Sequence, residues 1–305
     1  MGQHYVARFY LRPWSERGKL YCLSLKARRI RHRGLRAVAN EKLFYRLHAL
    51  TPEEREFIER VLIDRSPEPL KEIQRNFLTL LSLPAQLRKH TSTSNLGSEF
   101  TALLDDVIVN AAEKYHSGIE ACLKPFVVSM LAGDVEFYSD KKQAAEFLYA
   151  ISVQFTRTKR ARDAAVSQIG TKYKGCDPER LWSVSSHIVA ASVGQSLYAD
   201  GKQFRLMVVD NSTDTPFITA DQPIINLHAK ATGKIPDKLE FFYPLSPRKA
   251  MLLVETSSQR YIEPSLSPFA VNNYNVLMLR NAYEQVFSNS AEYLETIKKL
   301  SAMDS

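Results

Sequence analysis

Four short stretches of this chain carry side chains suited to holding a phosphate or moving a proton. The first is His4-Tyr-Val-Ala-Arg8-Phe-Tyr10-Leu-Arg12. On an extended strand side chains alternate between faces. His4, Val6, Arg8 and Tyr10 then share one polar face, and Tyr5, Ala7, Phe9 and Leu11 the apolar one. His4 exchanges a proton near neutral pH, and the Arg8 guanidinium forks two hydrogen bonds onto a phosphate or carboxylate; Tyr10 and Arg12 extend the same edge. A solvated strand edge reads equally well from these residues. The second stretch is Phe217-Ile-Thr219-Ala-Asp221-Gln-Pro223. Thr219 ends a strand, and Asp221 in the turn beyond it serves as general base, metal ligand or turn acceptor bonding its own backbone two residues on. The third is Gln154-Phe-Thr-Arg157-Thr158. Its polar members fall at i, i+3 and i+4 and share a helix face. Arg157, beside Ile151 and Phe155, is the best candidate for a partly buried arginine, either an anion clamp or an ionic partner of Asp221 or Glu41. The fourth is the basic run Lys26–Arg36, with six Lys/Arg in 11 residues. Arg28, Arg29 and Arg31 there are phosphate contacts if the run meets nucleic acid, and a solvated face if it does not.

The elements that must position these residues follow from periodicity. Residues 4–11 and Leu20–Leu25 read as strands, and Leu35–Tyr45 as a short helix. Thr51-Pro-Glu-Glu is a helix start with N-cap, proline and first-turn acids in order. Pro69–Leu83 reads as a helix ended by Pro84, with Leu70, Ile73, Phe77, Leu80 and Leu81 as its apolar face. Residues 89–98 read as a polar loop, and 98–131 as a helix interrupted near Gly118 and Pro125. Asp140 caps a long helix to Gly170, and Pro178–Leu197 forms another. Beyond Gly201, short β-rich stretches at 204–209, 216–219, 239–243 and 250–254 read as strands of one sheet. Residues 267–286 and 289–301 read as closing helices. The expected class is α+β: one domain over 1–305 with a basic strand segment (1–50), a helical middle (51–200) and a C-terminal part (201–305). Its small mixed or antiparallel sheet joins the N-terminal strand to the C-terminal ones.

Taken in order, these motifs resemble a bacterial family of unknown function, DUF4238. His4–Arg12 is similar to its opening signature, and Phe217–Pro223 to its Phe-Ile-Thr-x-Asp-x-Pro element. Glu41-Lys-Leu-Phe-Tyr45 and Gln154–Thr158 resemble two elements between them. Ala7, Ala220 and Lys159 depart from the family pattern, as does Ser24 where members often carry Asp. The resemblance implies an accessory or defence-associated protein and carries no established reaction.

Composition narrows the class. The chain has 305 residues, 45% hydrophobic and 24% charged, which suits a packed globular protein. Residues 1–50 hold twelve Lys/Arg against two acids, so the net charge of +8 is concentrated at the N-terminal end. Such a local field favours polyanions: nucleic acid, nucleotides or an anionic membrane surface. Three scattered cysteines argue for free thiols rather than disulfides or a zinc site. No apolar run reaches spanning length and the first residues lack the layout of a signal peptide, so a cytoplasmic location is expected. Walker, Gly-x-Gly-x-x-Gly, Gly-x-Ser-x-Gly and His-Glu-x-x-His motifs are absent. No cofactor is assigned; a divalent metal is the one candidate, without a metal motif behind it. The expected function is action on nucleic acid or a nucleotide, in the manner of a nuclease-like defence or toxin effector. There His4, Arg157 and Asp221 are catalytic, and Arg8, Tyr10, Arg12, Gln154, Thr219, Arg28, Arg29 and Arg31 bind substrate. The alternative is a non-catalytic binding or regulatory module whose motif residues form a structural polar network.

Overall fold

A computed structural model of the chain describes residues 2–91, 97–173, 175–199, 203–229, 238–257 and 266–303. The polar loop expected at 89–98 falls largely on 92–96, outside the described residues, and its first residues close a helix instead.

The N-terminal motif is not one strand. β1 covers only Gly2–His4, and the chain then turns into α1 (Arg8–Leu11) and a 3-10 turn at Arg12–Trp14. The aromatic residues that look β-forming are helical here because Tyr10 and Trp14, four apart, both bury and pack ring to ring at 5.3 Å. Tertiary packing overrides β propensity. His4 and Arg8 therefore share a neighbourhood across a turn rather than a strand face, and Tyr10 points into the core. β2 (Lys19–Ser24) and β3 (Arg29–Gly34) form an antiparallel hairpin. The helix expected over 35–45 is a 3-10 turn (Leu35–Ala37) followed by β4 (Asn40–Lys42) pairing with β1. Positive φ at Ala39 and Leu43 (46° and 56°) excludes a continuous helix.

α2 (Pro52–Ile58) starts as expected. The Thr51 hydroxyl accepts from the Glu54 amide, and the Glu54 carboxylate accepts from the Thr51 amide. Thr51→Ala should lower folding stability by about 1 kcal/mol in urea unfolding, in line with the loss of an N-cap hydroxyl. A π-helical turn (Glu59–Ile63) leads to α3 (Glu68–Thr91), which passes straight through Pro84. The carbonyl that proline leaves unpaired belongs to Leu80, an exposed residue, so water can satisfy it. The buried face of α3 is Leu70, Gln74, Leu78, Leu81 and Ala85, while Ile73 and Leu80 face out. α4 (Ser98–Leu131) likewise continues through Gly118 and Pro125. The long helix begun by Asp140 is in fact two. α5 (Lys141–Thr156) ends on Arg157, and α6 (Lys159–Lys172) begins on Thr158, whose hydroxyl accepts from the Ala161 amide. α7 (Pro178–Ala199) completes the helical layer.

The C-terminal strands belong to two antiparallel sheets rather than one. β5 (Phe204–Asp210), β7 (Ile225–Asn226), β8 (Phe241–Ser246) and β9 (Lys249–Glu255) form one in the order β5-β9-β8-β7. Its central strands are buried on both faces. Phe241, Tyr243, Met251 and Leu253 face the helical layer, and Phe242, Leu252 and Val254 face α8 (Pro268–Asn281). Burial on both sides explains why their sequences read as unbroken apolar runs. The second sheet has the order β3-β2-β10-β6, with β6 at Thr219–Ala220 and β10 at Gln285–Ser288. Residues 267–286 thus end as strand, and Val286 and Phe287 are fully buried there. α9 (Ala291–Met303) closes the fold. The architecture is α+β, and the N-terminal and C-terminal parts share a sheet, through β2 and β10.

Candidate functional site

α5 stops at Arg157, and that stop places a guanidinium inside the protein. Arg157 is 3% exposed. One terminal nitrogen, Nη2, donates to Glu120 Oε1 at 2.7 Å and to Gln154 Oε1 at 2.6 Å. Gln154 in turn donates to the Tyr5 carbonyl, so the third motif anchors the turn that follows β1. Arg157 Nε and Nη1 have no hydrogen-bond partner among the described residues. Burial pushes against the charge, but Tyr45 and Glu120 outweigh it and hold the Arg157 pKa above its ordinary value. The free N–H groups belong to a side chain that lines an inner recess with Tyr45, His116, Trp182 and His187. His116 and His187 stack with ring centroids 5.1 Å apart. Burial, the neighbouring His187 and Arg157 hold His116 well below its ordinary pKa, and burial holds His187 down to about 4. Both rings are neutral at pH 7, and His116 Nδ1 is buried without a partner.

On the other side of Tyr45 and His116 lies an open polar cleft of about 80 Å³. His4, Arg8, Glu113, Ser117 and Glu120 form the rest of its wall. His4 ends β1, and its Nε2 is unpartnered. Burial and the Arg8 charge lower its pKa, only partly opposed by Glu120 and by the Leu35 and Arg36 carbonyls. Arg8 opens α1, is exposed, and makes no ion pair among the described residues. Tyr45 ties the two spaces together: its hydroxyl donates to the His4 carbonyl at 3.1 Å, and its ring packs 4.2 Å from His116. The cleft thus offers a neutral imidazole able to take a proton, an exposed guanidinium and carboxylates on α4, with the partly unsatisfied Arg157 in the recess behind Tyr45 and His116.

The motif residues divide. His4 and Arg8 line the cleft, and Arg157 lines the recess that shares Tyr45 and His116 with it. Asp221 is not with them. Its Oδ1 accepts from the Tyr283 amide at 2.8 Å, and its Oδ2 from the Glu284 and Gln285 amides at 2.7 and 3.0 Å. It fixes the turn between α8 and β10, a role unlike both the ion pair with Arg157 and the local turn considered from sequence. Burial raises its pKa to about 6 despite those three donors. Tyr10 and Thr219 are fully buried partners, hydroxyl to hydroxyl at 2.6 Å, and Tyr10 also donates to the Pro244 carbonyl. Neither faces solvent, so they brace α1 against β6 and β8. Gln154 is buried behind Arg157. Arg12 lies on the surface and its carbonyl accepts from Ser15. Arg28 sits at the β2–β3 turn and donates to the Lys298 carbonyl. Arg29 and Arg31 line a separate groove on β3. Glu41 pairs with Arg162 and Lys159, not with Arg157.

Sequence reasoning passed over Glu113, His116, Ser117 and Glu120. These fall at i, i+3, i+4 and i+7 of α4, a polar stripe at helical spacing along a helix whose other inward positions are Leu104, Ile108, Ala112 and Leu123. That stripe was the available signal. Among the described residues no group of three or more His, Cys, Asp or Glu side chains is placed to hold a metal ion.

Fold and site together define an α+β protein in which a helical layer and an N-terminal turn close a polar cleft next to a recess that holds a buried arginine. The chain belongs to the family described as Protein of unknown function (DUF4238), whose model matches residues 2–183 and 189–292. No curated protein and no solved structure matches it. Among the described residues no helix is long and apolar enough to cross a membrane.

Proposed function

We propose that the protein acts on nucleic acid or a nucleotide at the His4–Arg8–His116 cleft, as a nuclease-like effector of a bacterial defence or toxin kind. The observation that carries this reading is Arg157: a guanidinium almost wholly removed from water, with Nε and Nη1 unsatisfied beside a recess. Buried polar groups are ordinarily paired, and a planar pair of N–H donors is matched by a phosphate or carboxylate. Arg8, in the neighbouring cleft across Tyr45 and His116, supplies a second, exposed cation. His4 is the group to accept a proton from an attacking hydroxyl, because it is uncharged at neutral pH and its buried Nε2 has no hydrogen-bond partner among the described residues.

Arg8→Ala and His4→Ala should each lower turnover at least tenfold, measured as release of labelled product from RNA, DNA and nucleotide substrates. The melting temperature of Arg8→Ala should stay at the wild-type value, since the side chain is exposed and unpaired. Hydrolysis of none of these substrates by the wild type, or equal turnover by both variants, rejects the reading. The non-catalytic alternative has its own support: Gln154 and Glu120 tie Arg157 to Tyr5 and α4, so half of that guanidinium is structural. In that case nucleotide binding without turnover remains, and Arg8→Ala weakens it.

A further inference from the structure

β3 is the edge strand of its sheet, and its inner neighbour β2 leaves one face of it open. Arg29, Arg31 and Arg33 alternate along β3, so all three point to that face. Each is exposed and opposes a β2 residue, Ser24, Cys22 and Leu20 respectively. The intervening Ile30 belongs to the opposite side, packed with Leu23 on the cluster that includes α9. The three arginines form one wall of a groove of about 190 Å³, floored by Cys22, Val38 and the Gln285 side chain. No carboxylate lines it, and no ion pair holds any of the three among the described residues. Charged side chains on an edge strand also deter strand-to-strand association. That need is met by charge of either sign scattered along the edge. It does not call for three like charges on one face over a concave, acid-free floor, where their mutual repulsion is unrelieved.

We infer that this groove binds the phosphate backbone of single-stranded nucleic acid, one phosphate to each arginine. The inference rests on the preceding reading for its ligand class only, and it adds a site outside the His4–Arg8 cleft. Alternate residues of a strand are about 7 Å apart, a spacing comparable to that of successive phosphates along an extended single strand. A duplex is stiff and cannot adjust its backbone to three side chains along one twisted strand as an extended single strand can. Among the described residues no aromatic ring lines the groove, since Tyr21 and His32 stack on the opposite face. Binding should therefore be indifferent to base sequence and carried by the backbone alone. An anionic membrane is the weaker fit, because the large exposed apolar side chains among the described residues lie outside this hairpin.

The test is fluorescence anisotropy with a labelled single-stranded phosphorothioate oligonucleotide of about 10 nucleotides, within the usual site size of such proteins. Wild type should bind with a slope of log affinity against log salt near −2, the value for about three phosphates on a single strand. Arg29→Ala/Arg31→Ala/Arg33→Ala should bind at least tenfold more weakly with a flattened slope, and its circular dichroism melt should match the wild type. Equal binding by that variant, preference for a duplex of the same length, or capture of phosphatidylserine vesicles in place of oligonucleotide each overturns the inference. Loss of oligonucleotide binding in Arg8→Ala alone moves the ligand to the polar cleft, which also overturns it while sparing the proposed function. Intact binding by wild type with no turnover of any substrate has the opposite meaning: the groove stands and the nuclease reading falls.

Discussion

Asp221→Ala should lower folding stability by about 3–5 kcal/mol, the range for exposing a buried charged acceptor's partners. Three backbone amides converge on the Asp221 carboxylate and lose that acceptor on truncation. Those amides define the passage from α8 into β10, and β10 is the strand that joins β2 to β6. Loss of the carboxylate therefore loosens the strand with which β2 of the N-terminal hairpin pairs. Urea unfolding followed by circular dichroism measures the change. A shift below 1 kcal/mol would show that the turn is held by other contacts. Asp221→Asn is the informative companion, since one amide oxygen replaces two carboxylate oxygens. It should cost less than alanine and more than the wild type.

The same carboxylate gives a pH signature of unusual sign. Its pKa is about 6 in the folded protein and 3.8 in an ordinary setting. Between those values the folded state binds a proton that the unfolded chain does not. Stability from this group is then fully present below pH 3.8 and is lost as the pH rises through 6. Ordinary surface carboxylates act the other way. The stability of wild type relative to Asp221→Asn should accordingly improve as the pH falls from 7 to 5. A difference that stays flat over that interval would show that the three amides, rather than burial, set the ionisation of Asp221.

The legible part of this chain was local. Thr51-Pro-Glu-Glu reads as a capped helix start because its signal lies within four residues, and the capping box is there. The strands expected at 204–209 and 250–254 are found at 204–210 and 249–255 because apolar, β-branched runs bounded by turn residues mark them, and the helix expected over 98–131 is found without its expected interruptions. Alternation of aromatic and polar residues over 4–11 fits a strand as well as a turn plus a short helix, so the sequence does not disclose the form this motif takes. The deciding contact, Tyr10 against Tyr243 at 4.6 Å, spans most of the chain. β10 was hidden for a similar reason: Gln285–Ser288 is four residues long and follows a helical pattern without a break signal, and its strand form depends on partners 65 and more residues away.

The candidate site shows the same division. Residue type alone singled out His4, Arg8 and Arg157, and the fold does bring them to one neighbourhood. It also singled out Asp221 and Tyr10, whose chemistry is equally suggestive but whose hydrogen bonds are all committed to structure. Sequence cannot separate these cases, because the distinction lies in whether polar atoms are satisfied. His4 Nε2, His116 Nδ1 and two nitrogens of Arg157 are unsatisfied, whereas both oxygens of Asp221 are bonded.

Glu120→Ala should be the most instructive change in the site. Glu120 is the only carboxylate bonded to Arg157 among the described residues. Its removal leaves a buried guanidinium with Gln154 as sole partner, and breaking one side of such a pair typically costs about 3–5 kcal/mol. Glu120→Gln keeps an acceptor without the charge and should cost roughly half as much. The double variant Glu120→Ala/Arg157→Met, with no charge left to strand, should recover much of the loss; double-mutant analysis of urea midpoints reads the coupling directly. The same variants test what the unsatisfied side of Arg157 is for. If that side is shaped for an oxyanion, added inorganic phosphate supplies the missing countercharge. Its rise in melting temperature should then be larger in Glu120→Ala than in wild type and absent once Arg157 is methionine, because a ligand stabilises only the state that binds it. A uniform response of all three proteins to phosphate would mark the effect as a general salt effect and would leave Arg157 as a purely structural arginine.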